Sequence, residues 1–364
     1  MQNNNKKRIC IVARSLGEGG ADRVASLQSI FLSDLGYEVY VVSFCNYIKY
    51  PYKGILLNLG ELKDNNNNFL GKIKRLLVFR KFINNNKIDV IIDHRVRSRP
   101  LLEVLIAFFV YKPEVIYIVH NYKIDLYFPS VKQVTRFVNK KAKCIVAVSS
   151  QIEQKVKDVY RLKNVRTIYN PIDFDFINSN KSEKLKVNYK YIFWYGRLED
   201  EQKNIKLLIE AYKESDLVLL GIKLIIMGSG KDENKIKELI FNLGLQGNIV
   251  LLPFSKNPFA YINKSIFVAL SSRYEGLPMT ILESLACGIP VVSVDYNEGN
   301  NKIVQHGYNG LLVKNNDVKA LADAFNTFVT DEELYKRCKK NAKSSVRSYD
   351  IEHVAKEWGK LIAE

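Results

Sequence analysis

The chain has 364 residues, which is too long for one compact core and indicates two domains of ordinary size. Its composition, 47% hydrophobic and 26% charged, excludes a wholly disordered or membrane-embedded chain. The net charge is +17, of which residues 1–180 supply +14 (29 basic, 15 acidic) and the remainder +3 (26 and 23), so the first half favours nucleic acid, anionic membrane or phosphorylated partners.

The first half alternates short apolar runs with segments of helical period. Strands are predicted at residues 9–13, 39–44, 90–93, 115–119, 144–148 and 165–168, and helices at 21–35, 69–83, 131–139 and 151–159. Strands that are apolar throughout and alternate with helices predict a parallel sheet covered on both faces. The apolar window 101–119 is interrupted by charges and a proline, so it is not expected to cross a bilayer.

The pattern pauses at Asn170-Pro171-Ile172-Asp173 and through polar residues 178–190, which predicts a linker. It then restarts, with strands predicted at 191–195, 223–227, 249–252, 267–270 and 290–294, and helices at 205–212, 233–243, 278–286 and 318–328. A last helix is predicted over 348–364, because its apolar residues form one stripe. Two doubly wound α/β domains facing each other across a hinge are therefore expected.

Cysteine usage and the N-terminus bear on the compartment. The five cysteines are widely spaced and form no CxxC pair, which argues against a disulfide scaffold or a structural zinc site: Cys10, Cys45, Cys144, Cys287 and Cys338. The apolar stretch 9–13 is too short for the core of a signal peptide. We therefore expect a cytoplasmic protein that is soluble or peripheral at the membrane.

In parallel sheets, ligands bind beyond the carboxyl ends of the strands, so the loops there are the candidate sites. The first loop contains Gly17, Gly19 and Gly20, but Asp22 stands at the third glycine position of a dinucleotide fingerprint, which makes NAD unexpected. Gly19 and Gly20 permit close approach of a phosphate or sugar, with a flexible turn as the alternative. His120 follows a predicted strand, and structural and functional roles are both open.

The loop after strand 191–195 carries Gly196, Arg197 and Lys203 before a helix. Two cations at such a turn suit a diphosphate, since arginine binds bidentately and lysine acts as a point charge. A solvated charged turn is the alternative. Gly228 lies in a second glycine loop, which alone is a weak signal.

A third loop leads into the predicted helix 278–286. Pro278 is expected as the first helical residue, with Gly276 and Leu277 offering backbone N–H groups at the helix entrance. Glu275 and Glu283 fall too far apart for an acid and a base on one water, and they suit two acceptors for hydroxyls of an extended ligand.

These motifs occur in a fixed order over nearly the whole chain, and together they resemble the retaining glycosyltransferases of family 4, which have the GT-B fold. The set is Gly19-Gly20-Ala21-Asp22-Arg23, His120, Asn170-Pro171-Ile172-Asp173, Gly196-Arg197-Leu198 with Lys203-Asn204, Gly228-Ser229-Gly230, Glu275 with Glu283, Ala286-Cys287-Gly288-Ile289-Pro290-Val291-Val292, and His306-Gly307-Tyr308-Asn309-Gly310-Leu311-Leu312-Val313. One departure is Lys302, which stands where relatives usually carry an acid, and Asp295, Glu298 or Gly299 are candidates to compensate.

The resemblance implies an architecture and a role for each site residue. Residues 1–178 with the helix 348–364 crossing back would be the acceptor domain, and 179–347 would bind the nucleotide sugar. Arg197 and Lys203 would hold the donor diphosphate, Glu283 the ribose and Glu275 the hydroxyls of the transferred sugar. His120 would reach that sugar, and the remaining donor contacts would be Gly19, Gly228, Leu277, Pro278, Met279 and Thr280.

The reaction implied is transfer of a hexose or N-acetylhexosamine from a UDP-sugar to a glycan or polyprenyl-diphosphate-linked acceptor, by front-face attack and without metal or other cofactor. Bacterial surface polysaccharide or lipid-linked glycan assembly is the expected context. A nucleotide-sugar epimerase of the same architecture and a non-catalytic nucleic-acid-binding protein are the alternatives. The second lacks an aromatic-basic or helix-turn-helix signature, so no nucleic acid is expected.

An anionic membrane surface is a further candidate partner of the basic first domain. The candidate contacts form two groups, one along the helix 69–83 and one after the strand 90–93. They are Lys72, Lys74, Arg75, Arg80 and Lys81, and then Arg95, Arg97 and Arg99. A solvated basic face is the alternative.

Overall fold

The structure, a computed structural model, describes residues 6–17, 19–296 and 303–364. The chain forms two compact units: the first holds the chain up to Pro171 together with Ile351–Glu364, and the second is Ile172–Asp350. The division falls at the Asn170-Pro171-Ile172-Asp173 segment, earlier than residue 178, because residues 174–180 fold as a helix of the second unit.

Parallel strands form the sheet of the first unit. Those described are β1 (Arg8–Ala13), β2 (Glu38–Ser43), β3 (Ile55–Asn58), β4 (Val90–Asp93), β5 (Glu114–Val119), β6 (Cys144–Ala147) and β7 (Val165–Thr167). Their order is β3-β2-β1-β4-β5-β6-β7. The central strand β1 pairs with β2 and β4, which places Ile11 between Val41 and Ile92. Apolar side chains of the central strands are buried on both faces, as the continuous apolar runs predicted.

Helices cover both faces of this sheet. They are α1 (Gly20–Asp34), α2 (Leu59–Asn65), α3 (Phe69–Asn85), α4 (Pro100–Leu105), α5 (Lys132–Lys140) and α6 (Ser150–Tyr160), and a π-helical turn, Ile106–Val110, continues α4. Polar residues set where several begin: the Asn68 side chain accepts from the backbone N–H of Gly71 at 2.7 Å, and Ser149 caps α6 in the same way.

The second unit repeats the plan with the strands β8 (Tyr191–Tyr195), β9 (Lys223–Met227), β10 (Ile249–Leu252), β11 (Val268–Leu270), β12 (Val291–Val294) and β13 (Gly310–Val313). The sheet order is β10-β9-β8-β11-β12-β13, with parallel pairing throughout. Its helices are α7 (Phe174–Asn180), α8 (Asp200–Lys203), α9 (Ile205–Glu214), α10 (Glu233–Asn242), α11 (Phe259–Lys264), α12 (Met279–Ala286), α13 (Val318–Thr330) and α14 (Glu332–Ala342).

The last helix, α15 (Ile351–Ala363), belongs to the first unit. It packs on α1, and Trp358 is buried beside Val24 and Phe31. The Lys7 ammonium donates to the carbonyl of Ile362 at 2.7 Å, which ties the helix to the start of β1. The expected return of the chain end to the first domain is confirmed.

In each sheet the chain starts at a central strand, builds outward to one side and then returns to build the other. The reversal lies between β1 and β4 in the first unit and between β8 and β11 in the second. In open α/β sheets, the loops that follow the strands on either side of such a reversal leave on opposite faces, and ligands bind in the crevice between them. No helix of the described residues is long and apolar enough to cross a bilayer.

Candidate functional site

The loop after β8 carries the predicted cations and is held by the loop after β11. The single-turn helix α8 ends at Lys203, and Asn204 then takes a left-handed conformation with φ of 49°. Arg273 fixes this turn, because its N–H donates to the carbonyl of Gln202 at 2.8 Å and its guanidinium donates to the carbonyl of Asp200. The segment that contains Lys203 is therefore locked in place by backbone contacts to the neighbouring loop.

Lys203 and Glu275 form an ion pair at the point where the strand order reverses. The Lys203 Nζ lies 2.7 Å from Glu275 Oε1, and their side chains are 15% and 8% exposed. Ser272 Oγ donates to the same carboxylate oxygen at 2.7 Å. A charged pair this far from bulk water interacts more strongly than a surface pair. The contact directly joins the residue predicted to hold the diphosphate, Lys203, to the residue predicted to hold the sugar, Glu275.

Arg197 lies on the same loop in a more open position. Its side chain is 43% exposed, and its guanidinium is 3.3 Å from Glu199. Such a contact at this exposure contributes little to stability. The guanidinium can therefore exchange it for a bidentate contact with an anion.

Glu283 is buried on α12 and faces β8. The Tyr195 hydroxyl donates to Glu283 Oε2 at 2.7 Å, which fixes the carboxylate. Pro278 is the residue before the helix rather than its first residue, so the prediction was one residue early, and Glu283 lies just over one turn in. The predicted neighbours lie around this helix entrance, with Leu277 and Pro278 buried and Met279 and Thr280 half-buried.

Gly228 packs the loops after β8 and β9 together. A Cβ on Gly228 would lie 1.9 Å from the carbonyl oxygen of Gly196, so no other residue fits there. The next contact, from the N–H of Leu198 to the carbonyl of Ser229, is 2.9 Å long. Asp232 accepts from the N–H of Asp200 at 3.0 Å, and that hydrogen bond lowers the pKa of its carboxyl. These contacts between the segments that follow β8 and β9 therefore position the loop that carries Arg197 and Lys203.

Hydrogen bonds to Asp22 hold the first loop of the first unit in place. The Asp22 carboxylate accepts from the hydroxyl of Ser15 and, at 3.3 Å, from the N–H of Gly17. Gly19 caps α1 in an extended conformation and is partly exposed. The residue that breaks the dinucleotide fingerprint thus shapes the loop itself.

His120 follows β5, and its ring is paired with a second histidine that sequence reasoning missed. His94 follows β4, and its Nδ1 lies 3.0 Å from His120 Nε2. Burial, then His94 and Arg97, hold the pKa of His120 well below its usual value, and burial lowers the pKa of His94 to about 3. Both rings are therefore neutral at physiological pH.

Two of the residues expected at a membrane surface are buried instead. Arg95 forms a bidentate ion pair with Asp93, at 2.8 and 3.1 Å, and also contacts Glu103 at 3.2 Å. Arg97 donates to the backbone carbonyls of Asp93 and Arg95 and lies over the ring of Tyr117. That expectation was wrong for both residues, because partners within the fold satisfy their charges; Arg99 is exposed.

The predicted site residues thus fall into a set on the second unit and a smaller set on the first. On the second unit Arg197 and Lys203 share a loop, Lys203 contacts Glu275, and α12 carries Glu283. Missed residues with direct contacts are Tyr195, Ser272, Asp232, His94 and Gln28. The rule that flagged His120, a polar residue at the carboxyl end of a strand, also flags Tyr195 and His94.

Two further points concern the predicted departure and metals. Glu298, Gly299 and Lys302 lie outside the described residues, whereas the N–H of Asp295 donates to the carbonyl of Val313 at 2.8 Å. Within the described ranges, no group of three or more His, Cys, Asp or Glu side chains is placed to hold a metal ion.

Comparison with known proteins identifies the family. Residues 18–176 match the family described as Glycosyltransferase Family 4, and residues 175–345 match Glycosyl transferases group 1. An uncharacterised glycosyltransferase of Methanocaldococcus jannaschii is 30% identical over 67% of this chain and 69% of its own length. The chain belongs to the group 1, family 4 glycosyltransferases. A relative from Campylobacter jejuni, N-acetylgalactosamine-N,N'-diacetylbacillosaminyl-diphospho-undecaprenol 4-alpha-N-acetylgalactosaminyltransferase, is 28% identical over 96% of this chain and 98% of its own.

Solved structures share the fold over nearly the whole chain. A glycosyltransferase of Rickettsia africae superimposes with a TM-score of 0.77 at 19% identity, covering 98% of both chains. An Anabaena protein crystallised with UDP-glucose gives 0.78 at 18% identity, covering 98% of this glycosyltransferase and 99% of that chain. The GT-B fold expected for the protein is confirmed.

Proposed function

We propose that this glycosyltransferase moves a hexose or N-acetylhexosamine from a UDP-sugar to a glycan or a polyprenyl-diphosphate-linked acceptor, with retention of configuration and without a metal ion. The observation that carries the proposal is the ion pair of Lys203 and Glu275 at the reversal between β8 and β11, with Arg197 on the same loop. Two cations placed there offset the charge of a diphosphate leaving group, the task that a metal performs elsewhere.

The donor contacts divide between phosphate, ribose and sugar. Arg197 and Lys203 hold the diphosphate, and Lys203 keeps Glu275 in place to accept from hydroxyls of the transferred sugar. Glu283, oriented by Tyr195, accepts from the ribose hydroxyls. The loop residues Gly19, Gly228, Leu277, Pro278, Met279 and Thr280 bring backbone close to the donor. His120 contacts a hydroxyl of the sugar.

The chemical step needs no covalent intermediate on the protein. The bond between the anomeric carbon and the β-phosphate oxygen breaks while the acceptor oxygen bonds to the same face of that carbon. The acceptor proton passes to the departing phosphate oxygen, so that oxygen serves as the base. The protein contributes positioning and charge stabilisation.

The acceptor is proposed from the relatives and from the surface of the first unit. The name of the Campylobacter relative specifies a diphospho-undecaprenol-linked acceptor, and the Anabaena structure holds UDP-glucose. The first unit carries most of the net charge, so an anionic acceptor at a membrane is the favoured partner.

A basic–apolar surface on α3, α5 and the π-helical turn fits such a membrane. Residues 69–86 carry five basic and no acidic side chains. Large apolar side chains are exposed on the same surface, with Phe69 at 74% and Phe137 at 57%. The Phe108 ring stacks on Phe137 with centroids 4.6 Å apart, which joins the π-helical turn to α5. Cations beside exposed rings suit the interface of an anionic bilayer.

The transfer itself is tested with purified protein, a panel of UDP- and GDP-sugars and an undecaprenyl-diphosphate-linked glycan. We expect release of UDP that depends on the acceptor, a product heavier by one hexose or N-acetylhexosamine, an α-linkage by NMR from an α-donor, and no loss with EDTA. Conversion of the donor into its epimer without acceptor would instead support the epimerase alternative.

Docking is tested by co-sedimentation with vesicles. We expect binding to require anionic lipid, to weaken between low and moderate salt, and to be lost when the exposed Lys72, Lys74 and Lys81 become Glu. The matched control changes Lys213, Lys319 and Lys340 of the second unit to Glu. Equal loss in both triple variants would show a general charge effect and remove this surface from the account.

A further inference from the structure

Gln28, His94 and His120 form a continuous chain of hydrogen bonds inside the first unit. Gln28 lies on α1, and its Oε1 is 2.6 Å from His94 Nε2. His94 Nδ1 is in turn 3.0 Å from His120 Nε2. The imidazole planes are inclined by only 21° with centres 5.1 Å apart. With nitrogens in contact at that spacing, the two rings lie edge to edge and share one hydrogen.

The position of each hydrogen follows from the chemistry of the groups. An amide oxygen can only accept, so His94 Nε2 carries a hydrogen and donates it to Gln28. A neutral imidazole has one such hydrogen, so His94 Nδ1 is a lone pair that accepts from His120 Nε2–H. His120 Nδ1 is then the bare nitrogen.

Arg97 and the packing around the pair keep both rings neutral. Arg97 is buried, and its guanidinium lies 4.4 Å from the ring centre of Tyr117 and 5.8 Å from that of Tyr127. Burial above all, and then the charge of Arg97, lowers the pKa values of His94 and His120. Protonation would place hydrogens on both nitrogens of a ring, and the donor-to-acceptor order of the hydrogen bonds would be lost. The hydrogen positions therefore follow from the contacts only because both rings are neutral.

We propose that Gln28 and His94 are positioning residues that hold His120 in the tautomer with hydrogen on Nε2 and a bare Nδ1. Nδ1 is buried and has no hydrogen-bond partner among the residues that the structure describes. A lone pair there accepts from a hydroxyl, so the chain sets the polarity of the contact made to the transferred sugar. The inference rests on the proposed function for that last step, whereas the tautomer is a property of the free protein.

The tautomer is tested by NMR on protein labelled with ¹⁵N-histidine, without any substrate. The chain has four histidines, so the ring signals of His94 and His120 are assigned from His94→Gln and His120→Gln. We expect both rings to be neutral with hydrogen on Nε2 at pH 7 and still at pH 5.5. Hydrogen on Nδ1 of His120, which requires the Gln28 amide nitrogen to face His94, would overturn the proposal, as would an imidazolium at either pH.

The positioning role is tested with Gln28→Met, which keeps the length of the side chain and removes its acceptor. We expect His120 to show mixed tautomers and kcat to fall about tenfold, the loss of one hydrogen bond, while KM for the donor changes less than twofold. The control is Gln154→Met, on an exposed part of α6, with unchanged kcat and tautomers.

A single Nε2–H tautomer with full kcat in Gln28→Met would show that His120 needs no positioning by Gln28. Thermal unfolding of the variant separates a loss of folded protein from a loss of kcat. If no donor is turned over by the wild type, the NMR result still decides the tautomer, so failure of the proposed function and failure of this inference remain distinguishable.

Discussion

The two units place charges at the same topological position and use them differently. After β4, next to the reversal of the first sheet, Arg95 is closed in by Asp93 and Glu103, all buried. After β8 and β11, next to the reversal of the second sheet, Lys203 pairs with Glu275 while the Arg197 side chain remains 43% exposed. A cation that two buried carboxylates enclose, as Asp93 and Glu103 enclose Arg95, supports the fold. Within the part of the chain that the structure describes, Lys203 has one carboxylate partner and Arg197 reaches solvent, so this pair of cations suits an anionic ligand.

The comparison also explains why net charge is a poor guide to a site. The first unit carries most of the excess positive charge. Two of its arginines near the strand ends, Arg95 and Arg97, are nevertheless buried and hydrogen-bonded within the fold. The nearly neutral second half holds the proposed diphosphate contacts. Local pairing, rather than the sum of charges, decides which cations can bind a substrate.

The largest effect is expected on stability, from Arg95→Ala. The change strands Asp93 and Glu103 without their cation, and breaking a buried ion pair costs about 3–5 kcal/mol of unfolding free energy. Urea unfolding measures this, with exposed Arg99→Ala as the control. The protein that remains folded should bind UDP as the wild type does. A loss below about 1 kcal/mol would place Arg95 among the available charges.

Lys203→Ala should act on the reaction. Removing the partner of a mostly buried carboxylate and a contact to the diphosphate loses about 2–5 kcal/mol of transition-state stabilisation, roughly 30-fold to several thousandfold in kcat/KM. Arg197→Ala should fall within the same range. The matched control is Lys206→Ala, an exposed lysine three residues on that pairs with Glu210. Near wild-type kcat/KM in both site variants would refute the donor-site assignment.

Substitutions of Glu275 and Glu283 should have different effects, because Glu275 is assigned to the transferred sugar and Glu283 to the nucleotide. Glu283→Ala should weaken UDP by about 1.5–3 kcal/mol, the range for a hydrogen bond to a charged group. Glu275→Gln should lower kcat and leave UDP affinity almost unchanged, because UDP lacks the sugar. Calorimetric titration of both variants with UDP measures the difference. Equal losses of UDP affinity in the two variants would contradict the assignment of Glu275 to the sugar and Glu283 to the ribose.

The neutral histidines predict a smaller effect, on the pH dependence of stability. The pKa of His94 is lowered to about 3 in the folded protein, so between that value and about 6.5 the unfolded chain binds a proton that the folded state refuses. Stability should therefore fall with falling pH, by about 1 kcal/mol for this histidine between pH 7 and pH 5.5. The difference between wild type and His94→Gln isolates it, with exposed His353→Gln as control. Parallel curves for wild type and His94→Gln would contradict a buried neutral His94.

Much of the fold was predictable because its signals are local. Strands β4 and β8 have the predicted bounds, since continuous apolar runs mark buried parallel strands. The edge strand β3 was missed because its side chains are half exposed and it spans only Ile55–Asn58. β13 was missed as a strand although its residues close the family motif.

The candidate site could be located from the sequence only where motif and position coincide. The four residues of an ordered motif lie in the loops and helices that follow β8 and β11: Arg197, Lys203, Glu275 and Glu283. The burial of Arg95 depends on Glu103, from a different element, and no local pattern specifies such a partner. Gln28 and His94 are distant in sequence and meet only in the folded unit, where α1 brings Gln28 to the end of β4.

The central claim, that the second unit holds the donor nucleotide, is tested most directly by hydrogen–deuterium exchange with and without saturating UDP, and GDP in parallel. One of the two nucleotides should slow exchange in residues 196–204 and 271–283, the segments that follow β8 and β11. Lys203→Ala should abolish that protection, and Lys206→Ala should not. Protection confined to residues 14–20 or 94–99 of the first unit, or none with either nucleotide, would contradict the account.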